Sequence, residues 1–195
     1  MSMKLGAVLL AAGQSERFGS NKLLADFGGR PMVCRVMEAM KQIRADRFAA
    51  VVSCSEVAAL AHECGFDVIY NDAPALGQAH SVVLAAKQMR DMDTLLFAAG
   101  DQPLLTGKSL ERLIAGFKES GRGIACLADK THRGNPAVFA KAYFPELLAR
   151  SGDRGAKGIL RAHENDLLVV PSFRENELAD ADTPEALEAI RREIG

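Results

Sequence analysis

Between the first apolar run and residue 22 the sequence reads Ala11-Ala12-Gly13-Gln14-Ser15-Glu16-Arg17-Phe18-Gly19-Ser20-Asn21-Lys22. Gly13 and Gly19 permit tight turns and close approach of a ligand to the backbone. Free amides in such a loop form a concavity that attracts anions. Arg17 can grip phosphate oxygens as a two-pronged fork, and Lys22 adds a mobile point charge. The spacing is neither the GxxxxGK[ST] of a Walker loop nor the GxGxxG of a dinucleotide site. The alternative is a polar surface loop whose Arg17 and Lys22 are merely solvated. Its position directly after a buried strand favours phosphate.

Further along, Gly100-Asp101-Gln102-Pro103 places a carboxylate at the end of an apolar run, where it could hold a hard cation. An ordinary turn aspartate would look the same from this segment alone. Asp180-Ala181-Asp182-Thr183-Pro184-Glu185 reads as a helix start, with Asp182 or Thr183 as cap. Asn71 to Ser81 carries Gly77-Gln78-Ala79-His80-Ser81, either a ligand-facing loop or only a helix entry. Arg133-Gly134-Asn135-Pro136 and Gly152-Asp153-Arg154-Gly155-Ala156-Lys157 combine glycines with basic and amide groups suited to an anion, or are glycine turns with solvated charges. The four histidines, His62, His80, His132 and His163, read as packing or surface groups, with His80 the best candidate for an exception because of its loop.

The elements that must position these residues alternate. Apolar runs at Leu5 to Leu10, Phe48 to Cys54, Phe66 to Tyr70 and Thr94 to Ala99 read as strands covered on both faces. Helical spacing fills the intervals at Pro31 to Ile43, Ser55 to Glu63 (Ser55 as N-cap) and His80 to Met89. The second half predicts helices over Thr106 to Phe117, Tyr143 to Arg150, Arg154 to His163 and Thr183 to Ile194. Strands are expected at Gly123 to Leu127, Asn135 to Phe139 and Asp166 to Val170. Such alternation implies a Rossmann-like, three-layer α/β/α fold with a mostly parallel central sheet, forming one domain over residues 1–195. Ligands of such sheets bind at the carboxyl ends of the strands.

Composition narrows the classes. With 24 basic and 25 acidic residues, no global positive field draws the chain to nucleic acid or a membrane. No run approaches the ~20 apolar residues of a membrane helix. Four scattered cysteines without a CxxC pair read as reduced thiols, so the expected location is cytoplasmic.

The loop Leu10-Ala11-Ala12-Gly13 through Lys22, as L-A-A-G-x-S-x-R-F-G-x-x-K, resembles the signature of the molybdenum-cofactor nucleotidyltransferase-like superfamily, whose members activate sugars, alditols and pterins. The resemblance runs from about Leu5 to Ile190. It implies that Arg17 and Lys22 lie on the triphosphate and that the Leu10 to Gly13 backbone lies beside the base. It places Gly77, Gln78 and Ser81 near base and ribose. The segment at Asp101 is similar to the family's G-D-x-P motif and that at Asp182 to its D-x-D-T-P-E element, which implies Mg2+ held by Asp101 and Asp182, with Asp180 assisting. Arg133, Asn135, Asp153 and Gly155 look like acceptor-binding residues of the molybdopterin cytidylyltransferase branch.

The expected activity is therefore transfer of CMP from CTP to molybdopterin with release of pyrophosphate, and the eventual partner is a recipient molybdoenzyme. Arg17, Lys22 and Asp101 carry the catalysis. Ala12 stands where guanylyl-transferring relatives have Gly, and its methyl narrows the room for a purine. Transfer to a sugar or alditol phosphate and guanylyl transfer from GTP are the enzymatic alternatives. A nucleotide-binding cofactor chaperone is the non-enzymatic one.

Overall fold

The computed structural model describes residues 3–13, 18, 21–152 and 155–192. Strand β1 (Leu5–Ala11) lies near the middle of a seven-stranded sheet, with β2 (Arg47–Val52) and β4 (Thr94–Ala99) parallel to it on either side. Outside β2 runs β3 (Asp67–Tyr70), also parallel. Beyond β4 come β6 (Arg133–Ala140), β5 (Ile124–Ala128) and β7 (Leu167–Pro171), giving the order β3-β2-β1-β4-β6-β5-β7. Among the described residues only β6 runs antiparallel to both of its neighbours in this sheet.

Successive side chains of a strand point to opposite faces, so a sheet covered on both sides needs unbroken apolar runs. In β1, Leu9 packs into one core while Val8 packs into the other. The Leu9 side is covered by α1 (Met32–Lys41), α2 (Ser55–Glu63), α4 (Gly107–Ser120) and α7 (Pro184–Arg192). The Val8 side is covered by α3 (Gln78–Gln88), α5 (Phe144–Leu148) and α6 (Lys157–Ala162). The result is the expected three-layer, Rossmann-like α/β/α arrangement with a mostly parallel sheet. No helix among the described residues is long and apolar enough to cross a membrane.

Several local expectations change. The strand expected at Asn135 to Phe139 is the longer β6, and it runs antiparallel. Asp129 closes a tight turn onto it by accepting from the Thr131 and His132 backbone amides at 2.8 and 2.6 Å, and so short a link can only reverse the chain. The helix expected from Tyr143 to Arg150 is a 3-10 turn at Lys141–Tyr143 followed by the five-residue α5. Ser55 is not the cap of α2. It is the first helical residue, and its hydroxyl bonds to Glu56 rather than to the helix backbone. Thr106 and Thr183 do cap α4 and α7, accepting from the amides of Ser109 and Ala186.

Candidate active site

The register of the sheet decides what meets at its edge. Leu10 of β1 lies beside Ala99 of β4, and the Gly100 amide donates to the Leu10 carbonyl at 3.0 Å. The segments leaving both strands therefore emerge side by side. Lys22 sits in a 3-10 turn, Lys22–Leu24, whose start is held by the Asn21 side chain accepting from the Leu23 amide at 3.1 Å. Buried Leu23 anchors that turn to the core. On the far side, the Ala181 amide donates to the Asp101 carbonyl at 2.9 Å, clamping the segment before α7 against the β4 loop.

These ties bring Lys22, Asp101 and Asp182 together. The Lys22 ammonium is 2.7 Å from Asp101 Oδ2 and 2.6 Å from Asp182 Oδ1. Burial by itself would push the lysine pKa down, but the two carboxylates outweigh it and hold the group above its ordinary value. The Lys22 and Asp101 side chains are 12% and 20% exposed, whereas Asp182 is 55% exposed, so the inner bond is the stronger of the two.

A cation seated between two carboxylates is a direct test of whether a metal ion could be held there. The two carboxylates face one point, where a divalent ion could take one of them directly and the other directly or through a bound water. Magnesium takes one or two protein carboxylates and fills its octahedron with phosphate oxygens and water. Among the described residues no group of three or more His, Cys, Asp or Glu is arranged as an all-protein cage. The pair fits an ion that brings substrate oxygens with it.

Asp180 stands behind this pair. Burial raises its pKa, and the nearby Asp101 charge adds to the effect. It is held by Gln102, whose Nε2 donates to Asp180 Oδ1 at 2.9 Å and to the Leu178 carbonyl at 3.0 Å. The Gln102 Oε1 in turn accepts from Asn135 Nδ2 at 3.0 Å. One buried amide thus joins the acidic segment to β6. The acids open into a cleft of about 190 Å³ floored by Leu10, Phe97 and Ala137, with Gln78, Asn135 and Lys157 on its walls.

The remaining expected residues fall into three groups. Gln78 packs against Gly155, where any side chain would collide with the Gln78 amide, and the Ala79 amide donates to the Gly152 carbonyl at 3.1 Å. Two segments distant in sequence therefore form one rim. Ala11 and Ala12 are buried at the end of β1, and Gly13 beyond them is exposed. Gly77 precedes α3 with φ +81°. Ser81 is buried and faces inward, accepting from Asn71 Nδ2 at 3.0 Å. Arg133 is exposed and lies in a neighbouring hollow, 3.5 Å from Glu164. Arg17 and Asp153 lie outside the described residues, as do Gln14, Ser15, Glu16, Gly19, Ser20 and Arg154.

Sequence reasoning passed over Gln102 and Lys157 as site residues. Both stood inside quoted segments, but a glutamine beside an aspartate does not announce its burial, and a lysine at a helix start reads as solvated.

Comparison with solved structures places the fold among nucleotidyl transferases. A nucleotidyl transferase from Methanothermobacter thermautotroptrophicus superimposes with a TM-score of 0.84 at 21% identity, covering 98% of each chain. Mycobacterium tuberculosis Rv0371c, in its crystal structure complexed with manganese, gives 0.77 at 19% identity over 97% of this chain and 99% of that one. At the level of sequence, residues 7–167 match the MobA-like NTP transferase domain, and the chain belongs to that family of nucleotidyltransferases. Among its relatives, Bacillus subtilis purine catabolism protein PucB is 29% identical over 95% of both chains. A probable molybdenum cofactor guanylyltransferase of Pyrococcus horikoshii is 28% identical over 80% of this chain and 78% of its own. The bifunctional protein GlmU of Rhizobium rhizogenes is 35% identical over 75% of this chain. The aligned region spans about a third of GlmU, 32% of its length.

Proposed function

We propose that this nucleotidyltransferase transfers CMP from CTP to the phosphate of molybdopterin, releasing pyrophosphate, with magnesium held by Asp101 and Asp182. The observation that supports the metal and phosphate assignment is the Lys22 ammonium seated between those two carboxylates, while the choice of CTP and molybdopterin rests on the sequence resemblance. Magnesium, when bound, would offset phosphate charge and help align the reacting groups.

The chain's own residues supply the rest. Lys22, exchanging its carboxylate partners for phosphate oxygens, would neutralise the leaving pyrophosphate together with Arg17. Asn135, fixed by Gln102, would orient the acceptor phosphate for in-line attack on the α-phosphorus. That phosphate is already largely ionised near neutral pH, so no general base is required. Gln78 and Gly155 would form the rim against which nucleotide and acceptor meet.

The test is a matrix of CTP and GTP against molybdopterin and sugar or alditol phosphates, scored by pyrophosphate release in the presence of magnesium. Release confined to CTP with molybdopterin is the expected result. Equal turnover with GTP removes the base assignment, and release only with another acceptor removes molybdopterin. Guanylyl transfer is the second reading, favoured by the guanylyltransferase from Pyrococcus horikoshii. Nucleotide binding without turnover of any acceptor would instead support a cofactor chaperone.

A further inference from the structure

Next to the acidic cleft, across β6, lies a second hollow of about 250 Å³ lined by Arg133, Gly134, Lys157, Leu160, Arg161 and Glu164. Gly134 and Lys157 border the acidic cleft as well, so the two spaces share a wall. Their electrostatics are opposite. One cleft gathers Asp101, Asp180 and Asp182, while the other presents three cationic side chains and one carboxylate in a chain whose overall charge is −1.

Backbone geometry builds this hollow. Gly134 has φ +112°, and a Cβ there would come within 3.4 Å of Leu160 and 3.8 Å of Lys157. Leu160 and the Lys157 stem of α6 thus pack at contact distance from the β6 backbone. Lys157 and Arg161 are four residues apart on α6 and so share the face that meets Arg133. Glu164 pairs with Arg133 at 3.5 Å, leaving an excess of two positive charges in the lining.

We infer that this annex binds a second oxyanion of the acceptor, carried beyond the phosphate that receives the nucleotidyl group. The reacting phosphate would lie in the acidic cleft, Lys157 would stand at the passage between the two spaces, and Arg133 with Arg161 would hold the distal group. Within the transferase class, the annex favours an acceptor that carries a phosphate, carboxylate or comparable oxyanion besides the reacting phosphate, such as a doubly charged sugar or alditol phosphate, over metal-free molybdopterin, whose one phosphate is the reacting group. Naming the occupant as an acceptor rests on the nucleotidyl-transfer reading above; the anion site does not.

Calorimetric titration in the presence of magnesium, which offsets the carboxylates of the acidic cleft, with glucose 1-phosphate and glucose 1,6-bisphosphate as matched probes tests this without requiring turnover. The bisphosphate should bind the parent protein about tenfold more tightly than the monophosphate. Arg161→Gln should abolish that preference while leaving monophosphate affinity unchanged, and Arg161→Lys should restore part of it. Equal affinities for both probes, including failure of both to bind, would overturn the inference. So would a preference that survives Arg161→Gln, or a parallel loss of CTP affinity, which would assign the annex to the nucleotide. A preserved bisphosphate preference in a protein that releases no pyrophosphate with any acceptor would leave the annex standing and remove the transferase substrates proposed above.

Discussion

The Lys22 ammonium and the Asp101 carboxylate are 79 residues apart in the chain and 2.7 Å apart in space. Parallel pairing of β1 with β4 accounts for this, since adjacent parallel strands release their following loops at one edge of the sheet. Asp182 joins them through the backbone bond between Ala181 and Asp101. A positive charge is therefore built into the place where a divalent ion would bind, and it has to move when one does.

Asp101→Asn keeps the shape of the side chain and removes the charge. Nucleotidyl transfer should fall by at least about a hundredfold, the cost typical of losing one preorganised electrostatic contact. Pyrophosphate release measured alongside a thermal melt separates lost chemistry from lost fold. Activity within threefold of the parent would remove Asp101 from the reaction.

Lys22→Met should move two measurements in opposite directions. Turnover should drop, because a phosphate partner is gone. Affinity for manganese without nucleotide should rise by about tenfold, because the resident ammonium no longer competes for Asp101 and Asp182. Electron paramagnetic resonance of free manganese reads this directly, and unchanged or weaker binding would refute the competition.

Gln102→Leu fills the same space but leaves Asp180, the Leu178 carbonyl and Asn135 each without a bond they now have. Stranding buried polar groups costs about 2 kcal/mol, roughly a 4–8 °C fall in melting temperature for a chain of this size. The Michaelis constant for the acceptor should rise more than that for the nucleotide, since Asn135 loses its support. A variant with parent melting and parent kinetics would show that the bridge is dispensable.

Tyr143 donates to Asp166 Oδ2 at 2.6 Å, which with the Gly123 amide holds the aspartate below the usual carboxylate range. Burial and the same bond push the tyrosine up to about 12. The aspartate is favoured ionised in the fold, so its contribution is complete above about pH 4 and disappears as pH falls through the lowered value. The tyrosine is favoured neutral, so its share is complete below about pH 10 and is lost as pH rises through about 12. Tyr143→Phe should therefore lower the melting temperature by about 2–4 °C across the neutral range, with a smaller penalty in acid. A penalty that stays constant into strong acid would contradict the link to Asp166.

Much of this molecule is written locally. The unbroken apolar run Leu5 to Leu10 demands a strand covered on both faces, and Thr106 and Thr183 announce helix starts because a cap bonds only a few residues ahead. The Leu10 to Lys22 loop, Gly100-Asp101 and Asp182-Thr183-Pro184 carried the resemblance that suggested the nucleotidyltransferase class. Ser55 misled because its hydroxyl chose Glu56 over the backbone, a competition between two local partners that residue type does not rank.

Tertiary structure alone decided the rest. The burial of Gln102 depends on the Leu178 carbonyl and Asn135, residues from distant segments whose meeting no short window encodes. The annex likewise depends on α6 packing against β6, which sets Lys157 and Arg161 beside Arg133. Periodicity and caps follow from contacts within a few residues, whereas the distribution of charge between two adjoining clefts follows from which strands neighbour one another, and that is settled only when the sheet closes over both cores.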